Sequence, residues 1–198
     1  MTGVQTCALP IYLQGEWAEI VSPGQPVTSS PWIDLATNTL FIGGQNGLFY
    51  AMNATPDPTV PHVRWMYDAG AAIVGSPFFD WVAKVVYFGT VDGKIHAVHA
   101  ADGTAKSGYP IQPRDAGKFL GMPIVVRKSG SNTPYIYIGG DNGKFYAINA
   151  DNPQEFYLYD GSNNGESFVR SPSISGLSAD DVIVAASTNG KVLAFPLK

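Results

Sequence analysis

Four segments of this chain share one cadence. They read Asn46-Gly47-Leu48-Phe49-Tyr50-Ala51, Asp92-Gly93-Lys94-Ile95-His96-Ala97, Asn142-Gly143-Lys144-Phe145-Tyr146-Ala147 and Asn189-Gly190-Lys191-Val192-Leu193-Ala194, and each alanine falls four residues after its glycine. The glycines are spaced by 46, 50 and 47 residues. A self-similar period of about 20–50 residues marks an array of like units, none of which can bury its apolar faces alone.

A second mark keeps time with the first. Ser30-Pro31, Ser76-Pro77, Met122-Pro123 and Ser171-Pro172 recur at spacings of 46, 46 and 49 residues. Proline is tolerated at the start of a strand, where no ladder donor is needed, so a short first strand is expected at Trp32–Asp34, Phe78–Asp80, Ile124–Val126 and Ser173–Ser175. A β-branched and aromatic run follows in each unit, at Thr39–Ile42, Lys84–Phe88, Tyr135–Ile138 and Asp181–Val184, and reads as a second strand. The Asn-Gly or Asp-Gly pair then predicts a tight hairpin, because both residues tolerate positive φ. The Gly-to-Ala core is the third strand. A fourth, more polar strand is expected at Val63–Tyr67, Gly108–Ile111 and Phe156–Tyr159.

The third strands exclude a sheet wetted on one face. Phe49/Ala51, Ile95/Ala97, Phe145/Ala147 and Val192/Ala194 lie on one side, and Tyr50/Met52, His96/Val98, Tyr146/Ile148 and Leu193/Phe195 on the other. Two apolar faces demand two covers. Four-stranded antiparallel sheets covered on both flanks are the blades of a β-propeller. The expected fold class is therefore all-β, with blades at about residues 30–67, 76–111, 122–159 and 171–198. The last blade lacks a fourth strand. Residues 14–20, around Trp17, read as a stray outer strand that either closes a four-bladed ring on the last blade or is the tail of a lost blade. The second alternative makes the chain an arc of a larger propeller of seven or eight blades, and is the expectation adopted.

Residues 1–11, Met1-Thr2-Gly3-Val4-Gln5-Thr6-Cys7-Ala8-Leu9-Pro10-Ile11, fit no unit. They resemble, codon for codon, the translation of a common short-read sequencing adapter. They are expected to be non-native, which leaves 12–198 as the propeller domain, makes the one cysteine, Cys7, foreign to it, and puts the natural start and any signal elsewhere. No basic region precedes a long apolar run, as a signal peptide would require. The net charge of −4 with 12 Lys+Arg argues against nucleic acid, whose phosphates need a basic face. Charged residues are 14%, well under the ordinary ~25%, which suits strands covered on both flanks. No apolar stretch approaches the ~20 residues of a membrane span.

The string Ala72-Ile73-Val74-Gly75-Ser76-Pro77, followed by Val85-Val86-Tyr87-Phe88-Gly89-Thr90-Val91-Asp92-Gly93-Lys94-Ile95-His96-Ala97-Val98, resembles the quinoprotein-type (PQQ-like) propeller repeat. The run from Tyr135 to Ala150 resembles it equally well, and the resemblance extends over about residues 14–198. WD repeats carry a Trp-Asp pair that is absent here, and the double glycine of kelch repeats is matched at Gly43-Gly44 and Gly139-Gly140 but not at Gly89-Thr90 or Ala186-Ser187. The family includes periplasmic quinone-dependent dehydrogenases, the outer-membrane assembly lipoprotein, and surface or sensor proteins that bind no quinone. It implies a periplasmic, extracellular or other cell-envelope location.

The departures from that family bear on function. Its blades dock through alanine, any residue and aspartate, then a glycine and a distant tryptophan. Here Asn53, His99 and Asn149 stand at the aspartate position, Gly103 is the matching glycine, and Trp65 is the matching tryptophan, with Tyr109 and Tyr157 the nearest aromatics in the next two blades. The docking system is expected to be eroded. Quinone enzymes of the family also use a vicinal disulfide and a carboxylate-rich calcium site, so PQQ and calcium belong to this chain only if it is part of such an alcohol or sugar dehydrogenase. No cofactor, catalytic residue or metal site is assigned within it. Asp160-Gly161-Ser162-Asn163-Asn164-Gly165 resembles a calcium loop, but its twelfth position is Ser171 rather than a bidentate acid. His96 and His99 face opposite ways on one strand.

Function on such scaffolds concentrates on loops. The loops that enter the first strands carry Arg114, Asp115, Lys118 and Phe119 in one blade, and Glu166, Phe168 and Arg170 in the next, with Trp32 near them in the first. An aromatic beside arginine is a common hot-spot composition. The expected function is a non-enzymatic scaffold that binds a protein partner or small ligand at one end of the propeller. A dehydrogenase fragment and a sensor or carbohydrate-binding ectodomain are the alternatives.

Overall fold

The computed structural model describes residues 24–55, 61–176 and 180–198. The expected non-native segment 1–11, Cys7 and the stray strand at 14–20 lie outside them. The described residues form four antiparallel sheets. Blade 1 is β1 (Trp32–Asp34), β2 (Thr39–Gly43), β3 (Leu48–Asn53) and β4 (Val63–Asp68). Blade 2 is β5 (Phe78–Asp80), β6 (Val85–Gly89) and β7 (Ile95–His99). Blade 3 is β8 (Ile124–Val126), β9 (Tyr135–Gly139), β10 (Lys144–Asn149) and β11 (Phe156–Asp160). Blade 4 is β12 (Ser173–Ile174), β13 (Val182–Ala186) and β14 (Val192–Pro196). Neighbours in sequence are neighbours in each sheet. Among the described residues no helix is long and apolar enough to cross a membrane.

The fourth strand expected at Gly108–Ile111 is not formed. Ile95 and Ile111 exchange backbone hydrogen bonds of 2.8 and 2.9 Å, and a second isolated bridge joins Val98 to Ala105. Between them the Lys106 N–H donates to Ala97 and the Tyr109 N–H turns back to Lys106. Pro110, which has no N–H, follows, so a continuous ladder cannot run through this segment.

The hairpins between second and third strands repeat one geometry. Gly47, Gly93, Gly143 and Gly190 have φ of 84°, 81°, 82° and 87°, a conformation that only glycine adopts freely. The residue three before each glycine donates to the carbonyl one after it, as in Gly44 N–H to Leu48 O at 2.9 Å and Gly140 N–H to Lys144 O at 2.8 Å. The Asn or Asp beside the glycine does not share the positive φ expected of it. These are turns closed by a single left-handed glycine, and Asn46 Oδ1 instead accepts from the Leu48 N–H at 3.1 Å.

The core lies between blades. Phe41, Phe49 and Ala51 of blade 1 meet Phe79, Val86, Phe88 and Val98 of blade 2. Tyr87, Ile95 and Ala97 of blade 2 meet Ile136, Ile138, Tyr146 and Ile148 of blade 3. Tyr137, Phe145 and Ala147 of blade 3 meet Ile183 and Ala185 of blade 4. Stacked rings cross two of these seams, Phe49 on Phe88 at 4.2 Å and Phe145 on Phe195 at 4.7 Å. Burying each such ring contributes about 1.5–3 kcal/mol. Every sheet in the middle of the array has both faces covered, which is why its strands read as continuous apolar runs. β1 approaches β5, and β5 approaches β8, so the first strands form the inner edge of the arc.

Candidate functional site

The loops that enter β5, β8 and β12 share a device. Ile73, Phe119 and Phe168 each lie four residues before the unit proline and are fully buried. Each fills the space above a glycine of the preceding blade. A Cβ on Gly43 would lie 2.3 Å from Ile73, on Gly89 2.4 Å from Phe119, and on Gly139 2.2 Å from Phe168. The wedge N–H donates to that same blade, Ile73 to Gly44 O at 3.1 Å, Phe119 to Thr90 O at 3.2 Å and Phe168 to Gly140 O at 3.0 Å. The carbonyl just before the wedge accepts from the following blade: Ala72 from the Val91 N–H, Lys118 from the Asp141 N–H and Ser167 from the Thr188 N–H. Each loop is thus pinned to two blades at once.

This changes the reading of three expected recognition residues. Phe119 and Phe168 are packing wedges, not surface anchors. Glu166 is also buried; its carboxylate accepts from Lys191 Nζ at 2.8 Å and from the Tyr159 hydroxyl at 2.9 Å. The hydrogen bond from Lys191 holds the Glu166 carboxyl below the ordinary range. The pattern that could have exposed the wedges was in the chain, a large apolar residue four residues before the proline of blades 2, 3 and 4, paired with a glycine ending the second strand of blades 1, 2 and 3.

Arg114, Asp115, Lys118 and Arg170 are exposed. The first three stand on a loop fixed from below, where the Tyr146 hydroxyl donates to Arg114 O at 3.0 Å and Asn142 Nδ2 to Asp115 O at 2.7 Å. Lys144 Nζ lies 3.4 Å from Asp115 and 3.5 Å from Asp160. Arg170 occupies the position held by Gly75 and Gly121 in the other entry loops, two residues before the proline. There the loops crowd closely, since a Cβ on Gly121 would lie 2.6 Å from the Arg170 carbonyl carbon. Gly75, Gly121 and Arg170 border a polar groove of about 290 Å³ that also includes Ser30, Ser76 and Ser171, whereas Arg114, Asp115 and Lys118 do not line it. The Ser30 N–H donates to Ser76 Oγ at 2.8 Å and the Met122 N–H to Ser171 Oγ at 3.0 Å. Trp32 is half-buried, its ring 5.4 Å from Phe78, and does not line this groove.

A second groove, of about 460 Å³, runs along the outer rim between β11 and β14 and is lined by Tyr137, Phe145, Phe156, Tyr157, Phe195 and Lys198, among others. Among the described residues no three His, Cys, Asp or Glu side chains converge as a metal site. The calcium-like string folds as a single 3-10 turn at Ser162–Asn164, and Asp160 Oδ1 accepts from the Ser162 N–H at 3.0 Å. His96 is buried, its ring stacked on Phe88 at 5.1 Å and its Nδ1 3.1 Å from the Tyr67 hydroxyl. Burial pushes its pKa down to about 4, so it is neutral at physiological pH.

The docking system is less eroded than its sequence suggested. Trp65 Nε1 donates to Ala100 O at 3.1 Å, and its ring lies where a Cβ on Gly103 would stand. One blade on, the Tyr109 hydroxyl donates to Ala150 O at 3.1 Å. Tyr157, next in the series, instead has Lys198 Nζ 4.2 Å above its ring.

No protein-family model matches the chain. The chain is 26% identical over 175 residues to the outer membrane protein assembly factor BamB of Shewanella oneidensis, a match that covers 84% of this chain and 40% of that protein. The crystal structure of BamB from Moraxella catarrhalis superposes with a TM-score of 0.63 at 16% identity, over 87% of this chain and 47% of that one. Quinohemoprotein alcohol dehydrogenase ADHIIG from Pseudomonas putida superposes with a TM-score of 0.58 at 16% identity, over 80% of this chain and 31% of that one. The chain therefore spans less than half the length of each. Repeat, blade order and these likenesses agree on a β-propeller fold, similar to the propellers of BamB and of the quinohemoprotein alcohol dehydrogenase.

Proposed function

We propose that this chain is a non-enzymatic scaffold of the cell envelope that binds a protein partner, in outer-membrane protein assembly, through the end of the arc where the entry loops cluster. The observation that carries this reading is the set Arg114, Asp115, Lys118 and Arg170, exposed on loops that buried wedges pin to two blades. Charged side chains on a rigid frame bind a complementary surface without first having to be ordered. The likeness to BamB supports both the class of partner and the periplasmic face of the envelope as its place. The likeness to the alcohol dehydrogenase carries the fold alone.

Photo-crosslinking tests this. A crosslinker at Arg170 or Lys118 is expected to capture an outer-membrane assembly component from an envelope extract, and one at exposed Leu35, on the β1–β2 turn, is not. Equal capture from all three positions, or dye-linked alcohol oxidation after PQQ and calcium are added, overturns the proposal.

A further inference from the structure

The turn from first to second strand is alike in blades 1 and 2, but one of its residues is not. The aspartate three residues past the unit proline caps it: Asp34 Oδ1 accepts from the Ala36 N–H at 3.1 Å, and Asp80 Oδ1 from the Val82 and Ala83 N–H groups at 3.0 and 3.2 Å. A left-handed residue closes each turn, Asn38 at φ 52° and Lys84 at φ 56°. The position four residues past the proline holds Leu35 in blade 1, Trp81 in blade 2 and Arg127 in blade 3. Trp81 is 65% exposed. Among the described residues it makes no ring contact, and its indole N–H has no acceptor. An indole left in water forfeits a large apolar area, and here a capped turn holds it out in one place.

Trp81 borders a small pocket of about 170 Å³ between blades 2 and 3. The pocket lies at the end of the arc opposite the entry loops, since β5 runs from its entry loop to this turn. Phe78, Val125 and Val126 are its apolar walls, and Asp80 and Arg127 its polar side. Arg127 reaches back across the seam, Nη1 to Asp80 Oδ1 at 3.1 Å and Nη2 to Asp80 Oδ2 at 2.7 Å. A guanidinium carries further N–H donors beyond these two, and the Arg127 side chain is 24% exposed. Asp80 fixes the plane of the guanidinium and cancels its charge. The pocket therefore offers oriented donors without net charge.

That combination narrows the ligand. A pyranose ring has a face of C–H bonds, which packs on an indole, and a rim of hydroxyls, which accept from fixed planar donors. An anion would be opposed by the Asp80 carboxylate. A wholly apolar ligand would bury the Arg127 donors unpaired. A protein partner needs a contact far larger than this pocket. We propose that the pocket beside Trp81 binds one neutral pyranose residue of a glycan, with the Trp81 ring against its C–H face and Arg127 donating to its hydroxyls. Pre-organisation by the capped turn and by Asp80 removes part of the ordering cost of such a small ligand.

Titration of the full chain with the methyl glycosides of glucose, galactose, mannose and N-acetylglucosamine tests this. The Trp81 indole N–H resonance, identified by its loss in Trp81→Phe, is expected to shift saturably with at least one of them, with a Kd on the order of 1 mM. The other indoles should stay in place. Read by saturation transfer to the sugar protons, Trp81→Ala and Arg127→Lys are each expected to weaken binding about tenfold or more. Trp81 is exposed, and Arg127→Lys keeps a cation on Asp80, so both variants should keep a cooperative melt. Leu35→Ala and Arg170→Ala are expected to leave sugar binding unchanged, and the second separates this pocket from the partner-binding loops at the other end. No saturable shift with any of the sugars at tens of millimolar, equal shifts of every indole, or transfer that survives Trp81→Ala overturns the proposal. Capture of a protein by a crosslinker at Trp81, with no sugar effect, overturns it too.

Discussion

Tyr109 and Ala150 stand to each other as Trp65 stands to Ala100: an aromatic on the outer part of one blade donates, at 3.1 Å, to a backbone carbonyl of the next. The donors differ, an indole N–H in one and a phenol O–H in the other, but the carbonyl satisfied is equivalent. Ala150 O also accepts from Lys106 Nζ at 2.6 Å, so that carbonyl has a second donor, and what the two seams share is a satisfied carbonyl rather than a ring type.

Tyr109→Phe keeps the ring and removes one of the two donors to the Ala150 carbonyl, leaving Lys106 Nζ. It is expected to cost about 1 kcal/mol in urea unfolding. Gly103→Ala should cost more, about 2 kcal/mol, because its Cβ would lie 2.5 Å from the Trp65 ring and its φ is 74°. A Tyr109→Phe variant with unchanged midpoint would remove the docking role.

The wedges should behave as core residues. Phe168→Ala is expected to destabilise by about 3–5 kcal/mol, and Gly139→Ala, whose Cβ would meet Phe168 at 2.2 Å, by about 2 kcal/mol or more. Arg170→Ala should stay within about 0.5 kcal/mol while abolishing capture of the partner. If instead Phe168→Ala leaves the thermal midpoint in place, the wedge assignment is wrong.

Arg127 and Asp80 form a bidentate pair at 3.1 and 2.7 Å between the inner strand of blade 2 and the end of that of blade 3. Asp80 is buried while Arg127 keeps some contact with water. Arg127→Met strands the carboxylate and is expected to cost about 2–3 kcal/mol. Adding Asp80→Asn should return part of that loss, and a double-mutant cycle reads the coupling. Strict additivity would mean that the pair contributes nothing.

His96 gives stability an acid limb. Its folded pKa of about 4 lies below the ordinary 6.5 because burial disfavours the charged ring. In the window between those values the unfolded chain takes up the proton and the folded one does not. Stability from this group is therefore complete above about pH 6.5 and falls as pH drops toward 4, by at most about 3 kcal/mol. His96→Phe, which preserves the stack on Phe88, should flatten unfolding free energy across that window. Parallel pH profiles for parent and variant would refute the assignment.

Most of the fold was legible because its signals are local. A left-handed glycine, a proline at a strand start and an alternation of side chains each constrain a few neighbouring residues, and repetition four times over made the period plain. The strand expected at 108–111 failed where Pro110 denies the ladder a donor and the chain turns at Lys106. The site was less legible. Arg114, Asp115, Lys118 and Arg170 are exposed as a loop reading implies, whereas Phe119, Phe168 and Glu166 looked like their companions and are buried. Nothing in the identity of a phenylalanine says whether a glycine of another blade stands opposite it.

By itself, then, the order of residues determined the repeating sheet, its hairpins and the need for two apolar covers on every blade. Only the tertiary structure decided which loop residues point inward and that Tyr109 does the work of a tryptophan. The reason is range: turns and strands are set by neighbours along the chain, but a wedge or a docking bond exists only in relation to a blade some 30 to 40 residues away.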